Sequence, residues 1–306
     1  MLQRCFISFW IVSLLFSCTE PTAESEGTRD DTKANIENSK PKRQLTQEFK
    51  DYWYAGVAEI SSYDLQHDRY GEKRQGSAVF IFVTEPFDPI DQIKADQPAD
   101  SNQSVLKLNA TRDFLTGIYP YKIMSSTFLP LETEDNAVKV ATSIQEWCGH
   151  TYMQFNRNED QYDVELFSYF QSEGNKKFQI SNAILENQIP SQLRLGPEAM
   201  PTGEINIIPP TEYLRLTHSE TKVLPATAQL TKTDSSYMYV VNYDSGRNIE
   251  YVTKSEFPYI IQSWKEEFPS RDGTSMTSAT IKKTLRTPYW KQNSTQYEIL
   301  RDSLHL

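Results

Sequence analysis

Long apolar runs, paired cysteines and an excess of positive charge are all scarce in this sequence, and each shortage narrows what the chain can be. The most hydrophobic stretch is Phe6 to Phe16, interrupted by Ser8 and Ser13. It falls short of the roughly 20 apolar residues that cross a hydrocarbon layer of about 30 Å, and no later stretch matches it, so no helical span is expected. Cysteine occurs only at 5, 18 and 148. Once the first two are assigned to amino-terminal processing, Cys148 is alone, and the fold must be held by its core rather than by an internal disulfide. Lysine and arginine total 31 against 41 acidic residues. Such an acidic balance repels phosphate backbones and argues against a nucleic-acid partner.

Catalytic punctuation is equally sparse. No P-loop, dinucleotide glycine fingerprint or Gly-x-Ser-x-Gly elbow is present. The histidines, His67, His150, His218 and His305, show no zinc-ligand spacing. No metal centre and no cofactor is expected. Glu266-Glu267 and Asp30-Asp31 read as solvent-facing carboxylates in an acid-rich chain.

What is present begins with an address. Arg4 followed by the short apolar stretch has the form of a signal peptide over residues 1–17. Leu15-Phe16-Ser17-Cys18 resembles a bacterial lipobox, which implies cleavage before Cys18 and acylation of its thiol. Each acyl methylene that enters a bilayer contributes about 0.8 kcal/mol, so several chains anchor durably. Thr19 rather than Asp after the cysteine implies, by the same resemblance, the outer membrane of a cell envelope. Removing the signal takes Arg4 and no acid, leaving 30 basic and 41 acidic side chains and a net charge of −11. Residues 18–44 are polar and almost free of large apolar groups, which predicts a disordered tether with a span of roughly 25 to 30 Å.

The remainder, 45–306, reads as a single mainly β domain: a curved antiparallel sheet, either a partly open barrel or a sandwich, with few short helices. Tyr237, Tyr239, Val241 and Tyr243 share one face at period two, Asp244-Ser245-Gly246 supplies a turn, and Ile249 to Val252 resumes the alternation, which predicts a hairpin. Further strand-like runs lie at 77–84, 105–108, 118–128, 137–144, 164–170, 178–185, 213–216, 259–264 and 277–285. Thr46 to Tyr52 is the clearest helix, with Thr46 as its cap. Glu85 to Ser104, with three prolines and four aspartates, predicts a solvated rim loop rather than a strand or a calcium loop. Prolines 197, 201, 209 and 210 mark an irregular crossing, and a subdivision near 197–210 is the alternative to one domain.

Two groups of residues invite chemistry. In Gln145-Glu146-Trp147-Cys148-Gly149-His150, Cys148 and His150 could serve as nucleophile and base of a hydrolase or transferase if Gly149 bends the chain. The simpler account makes Trp147 and Cys148 packed residues beside a bulge at Gly149. The aromatic strings Tyr52-Trp53-Tyr54, Tyr119-Pro120-Tyr121, Phe167 to Phe170, Tyr237 to Tyr243 and Pro288-Tyr289-Trp290 could line a concavity for an apolar or sugar ligand, or simply fill a sheet core.

The strings Asp51 to Gly56, Leu115 to Tyr121, Gln145 to His150 and Pro288 to Trp290 resemble a family of bacterial lipoproteins that often carries the label septum formation inhibitor Maf. The resemblance implies an envelope address rather than an activity. Maf proteins proper are α/β nucleotide pyrophosphatases with an early Ser-x-Ser-Pro-Arg-Arg motif, which is missing from this sequence. No Maf site residue is carried over.

The functional expectation is a non-enzymatic envelope lipoprotein that binds an apolar ligand, a lipid or a protein partner, anchored to its membrane by acyl chains. The alternatives are the Cys148/His150 enzyme and, last, a Maf-type pyrophosphatase. Radiolabelled palmitate should join the wild-type chain and fail to join Cys18→Ser; equal labelling of the two would remove the anchor.

Overall fold

The computed structural model describes residues 42–271 and 273–306. The expected signal peptide, Cys18, Asp30-Asp31 and most of the expected tether lie outside these residues. One large, mostly antiparallel sheet dominates the described chain, as expected for a curved, unclosed β architecture.

The first half of the sheet is a meander of β1 (Ala58–Arg69), β2 (Glu72–Asp88), β4 (Gln103–Thr116), β5 (Tyr119–Pro130), β6 (Lys139–Glu146), β7 (Gly149–Asn158), β8 (Gln161–Ser168) and β9 (Lys176–Ser181), with the two-residue β3 (Ile93–Lys94) beside β2. The second half starts with the two-residue β10 (Ile184–Leu185) and β11 (Gly203–Ile208). It continues through β12 (Leu224–Lys232), β13 (Ser236–Tyr243), β14 (Asn248–Lys254), β15 (Ile261–Ser270) and β16 (Gly273–Thr287). In space the order is β10-β11-β12-β13-β14-β15-β16-β1-β2-β4-β5-β6-β7-β8-β9. The two halves join where β16 pairs antiparallel with β1, and β10–β11 is a parallel pair.

Consecutive elements β9 and β10 are therefore the opposite edges of one sheet. Curvature brings those edges together: Val164 and Leu166 of β8 share a buried cluster with Leu185 of β10 and Ile208 of β11. The edges meet without a ladder between them. Just past β9, Asn182 N–H donates to the Asp160 carbonyl at 2.8 Å, extending the β8–β9 pairing into the crossing to β10.

Helices fill the space inside. α1 (Gln47–Trp53) begins as predicted, Thr46 Oγ1 accepting from Phe49 N–H at 3.1 Å. α2 (Ile189–Leu195) has Pro190 in its first turn and Gly196 at its end. Ile189 and Leu193 join the main core beside Tyr63, Phe80, Phe82, Tyr239 and Trp264. α3 (Thr211–Leu216) follows Pro209-Pro210 and buries Leu214. The short α4 (Ile299–Ser303) instead lies on the other face of the sheet, with Leu304 packed on Ile60 and Val83, which alternates with the inward Phe80 and Phe82.

Three local expectations need correction. Residues 213–216 form a helix and not a strand, because four residues cannot separate period two from period 3.6 and the preceding prolines start a helix well. The supposed loop from Glu85 contributes strand as far as Asp88. β1 ends its pairing with β2 at Glu59↔Phe82, and beyond it only the two-residue β3 borders that flank, where the Pro86 carbonyl accepts from Ala95 N–H at 3.0 Å and no Pro86 N–H is needed to hold a long ladder. Glu266 is buried at 4% exposure rather than facing solvent, because two guanidiniums meet it. The hairpin of β13 and β14, by contrast, has the predicted face inside and Gly246 at φ 84° in its turn.

The interior is not purely apolar. Arg194 of α2 and Glu59 of β1 are each about 1% exposed and form a bidentate pair, with a Glu59 contact from the Tyr52 hydroxyl. Burial raises the Glu59 carboxyl, but Arg194 more than offsets this and holds it below its ordinary value. The pair therefore contributes stability above the unfolded carboxylate pKa of about 4.3, lost as pH falls through the lower folded value. Arg194→Ala should lower the unfolding free energy by about 3–5 kcal/mol, since a lone buried carboxylate remains. Urea unfolding at pH 7 measures this, and a loss under about 1 kcal/mol would contradict the burial of the pair.

Candidate functional site

The β1–β2, β4–β5 and β6–β7 turns and the longer β8–β9 connection lie at one end of the sheet, where α3 also ends. The β1–β2 turn is Tyr70-Gly71, with φ 57° and 73°. Two residues of positive φ suit the twist of a two-residue hairpin, yet tyrosine is an unusual occupant of the first position. Its side chain folds back over the preceding residue: the Arg69 guanidinium carbon lies 4.5 Å from the Tyr70 ring centroid and 5.3 Å from that of Tyr121. The two tyrosine hydroxyls share a hydrogen bond of 2.7 Å. Phe114 stacks on Tyr121 at 5.1 Å and on His67 at 4.3 Å, so a continuous aromatic column backs the arginine.

Arg69 separates two hollows. A cavity of about 240 Å³ is lined by Arg69, Tyr70, Arg112, Tyr213, Glu266 and Phe268 among others. A second, of about 200 Å³, includes Arg69, Tyr70, Tyr121, Ile144, Cys148 and Phe170 in its wall. Leu216, at the end of α3, lines both. Further hollows surround Lys42 to Leu45 at the opposite end, where the chain passes into the residues outside the description.

Charge pairing distinguishes Arg69 from its neighbours. Arg112 pairs with Glu212 at 3.0 Å and Glu266 at 3.7 Å. Arg247 pairs with Glu266 at 2.7 Å and bidentately with Glu186. Arg215 pairs with Glu173 at 2.5 Å, which also meets His218 Nδ1 at 3.1 Å and so ties α3 to the β8–β9 connection. Among the described residues Arg69 donates to neutral oxygens only: the Leu216 carbonyl at 2.8 Å, Tyr121 at 3.3 Å and Tyr70 at 3.5 Å. Its Nε is buried without a hydrogen-bond partner.

The floor beneath is electrostatically asymmetric. Glu186, Glu212 and Glu266 face the two guanidiniums of Arg112 and Arg247, one carboxylate in excess. Burial pushes the Glu186 carboxyl up, despite Arg247 beside it. Burial also raises Glu266, but Arg247 and Arg112 together hold it below the ordinary value. Burial, with Arg112 and Arg69 nearby, keeps His67 well below the usual imidazole range, so at pH 7 it is a neutral wall residue.

The structure does not join Cys148 to His150. Glu146↔Gly149 closes a turn whose tip is Trp147-Cys148, both exposed, which corrects the packed, bulged account. Gly149 sits in regular register, and the Tyr169 ring lies over it; a Cβ there would fall 2.7 Å from that ring, which is why no side chain fits. Thr151 turns inward while His150 is exposed, and no hydrogen bond links His150 to Cys148 among the described residues. Glu146 Oε2 accepts from Cys148 N–H at 2.6 Å, and the same carboxylate raises the thiol pKa, the opposite of nucleophile activation. Among the described residues no group of side chains could hold a metal ion.

The turn tips carry apolar groups in the open. Ile118 is 83% exposed, Trp147 69% and Tyr169 76%, one on each of three successive hairpins. Tyr119 stacks on Trp147 at 6.3 Å. Sequence reasoning singled out Tyr119-Pro120-Tyr121 and Phe167 to Phe170 but not Arg69 or Tyr70, for which only the turn-forming Gly71 gave a signal. Comparison with protein-family models, with curated proteins and with solved structures finds no match.

Carboxymethylation of Cys148 at pH 7.5, followed by peptide mass spectrometry, should run slower than on an unfolded control peptide. Glu146→Gln should speed it severalfold. No change in the variant would mean the carboxylate does not govern the thiol.

Proposed function

We propose that this chain is a non-enzymatic binding protein, tethered to an envelope membrane through Cys18, whose working surface is the turn-bearing end of the sheet. The observation that carries this reading is the row of exposed Ile118, Trp147 and Tyr169 around a cleft built on Arg69. Large apolar side chains in water are unfavourable by roughly 25 cal/mol per Å² of apolar surface, so three aligned on neighbouring hairpins favour a contact that covers them.

The interior is less suited to carriage. α2, its ion pair and the aromatic core occupy the space that the sheet encloses. A ligand or partner is therefore expected to meet the end of the sheet, not to enter it. Chemistry by Cys148 and His150 has less support, because the thiol faces a carboxylate and the imidazole lies apart. The mainly β body likewise offers no α/β frame for a Maf-type pyrophosphatase.

The experiment is native mass spectrometry on chain purified from its membrane under mild conditions, wild type against Ile118→Ser/Trp147→Ser/Tyr169→Ser. Wild type should retain a non-covalent apolar or amphiphilic species that the triple variant loses, with unchanged thermal unfolding. Equal retention, or none in either protein, would count against this surface as the binding end.

A further inference from the structure

We infer that the Arg69 cleft is a seat for the anionic group of an amphiphile, a phosphate or carboxylate joined to an apolar or aromatic body; this rests on the turn-bearing end being the binding surface. Three features of the side chains lead there. First, Arg112, Arg215 and Arg247 around this end each meet a glutamate, whereas Arg69 has no carboxylate partner among the described residues. A guanidinium presents five N–H donors. One is committed to the Leu216 carbonyl at 2.8 Å, and those facing the tyrosines make only long contacts of 3.3 and 3.5 Å. An anion offers that fork a stronger, charge-assisted partner than a phenol does.

Second, the phenols are poised to help. Tyr70 and Tyr121 share one hydroxyl proton between their oxygens at 2.7 Å, which leaves the other proton free to donate. Burial, together with the Tyr70 hydrogen bond, raises Tyr121 above the ordinary phenol value, so its hydroxyl stays a protonated donor at neutral pH. An oxyanion beside Arg69 would thus receive N–H and O–H donors together.

Third, the surroundings select an amphiphile over a bare ion. The cavity on the Tyr121 side adds Ile144, Phe170 and Leu216 to its wall, and the Tyr119–Trp147 stack stands at the adjoining tips. A simple anion uses none of that apolar lining. Tyr70, half exposed and held by its contacts with Arg69 and Tyr121, lines both hollows and forms the partition between them.

The probes are benzyl phosphate, benzyl alcohol and inorganic phosphate, titrated by calorimetry into the full chain in detergent. Benzyl phosphate should bind at least tenfold more tightly than either of the others. Arg69→Met should weaken it tenfold or more, and Tyr121→Phe, which keeps the aromatic column, should weaken it severalfold even if Arg69→Met folds poorly. Benzyl alcohol matching benzyl phosphate, with no effect of either variant, would overturn the anionic seat and leave apolar binding at this end intact. Inorganic phosphate matching benzyl phosphate would overturn the amphiphile. The absence of heat with every probe would overturn the inference, while the co-purification result for the tip residues would decide separately on the binding end.

Discussion

Burial of charge inside the sheet is the constraint from which the rest of this architecture follows. Arg194, Arg247, Glu59, Glu186 and Glu266 are each nearly inaccessible. Charges in such surroundings persist only when each has a partner with good geometry. The partners come from widely separated segments: α2 with β1, the turn before α2 with the β13–β14 hairpin, β4 with α3 and β15. These pairs fix where the internal helices sit against a sheet whose apolar contacts alone would allow many placements. They also fix the turn-bearing end, because α3 delivers Leu216 to Arg69 only while Glu212 and Arg215 are held.

The same constraint makes Arg69 stand out. In a chain of net negative charge, where Arg112, Arg194, Arg215 and Arg247 are matched to glutamates, the Arg69 guanidinium meets only carbonyl and phenol oxygens among the described residues. Tyr70 accepts an uncommon backbone conformation in order to cover it. Backbone strain of this kind, on the order of 1–3 kcal/mol, survives where surrounding contacts over-determine it and clusters at functional positions.

The sheet was legible because its strands alternate cleanly: Tyr237, Tyr239, Val241 and Tyr243 point inward as their spacing requires. The capped start of α1 was legible for an equally local reason. α2 was not, although Pro190 and Gly196 bracket it, because its buried face includes Ser191 and Arg194 and so shows no apolar stripe. Glu266 looked like a surface carboxylate because its partners Arg112 and Arg247 stand far from it in sequence or across a strand pair. The candidate cleft was hidden for the same reason: Arg69, Tyr121 and Leu216 meet only when β1, β5 and α3 are brought to one place. Trp147 and Cys148 misled in the other direction, since residue types that usually pack inside are here the apex of a two-residue turn.

The described chain enters the sheet at the pole opposite its aromatic tips. Lys42 bridges to Thr133, and Arg43 binds the Pro130 and Leu131 carbonyls at 3.0 and 3.1 Å, at the far end of the strand that begins with Tyr119. Twelve extended residues set those poles about 40 Å apart. Whatever the aromatic tips touch therefore lies a whole molecule's length from Lys42, where the described chain begins.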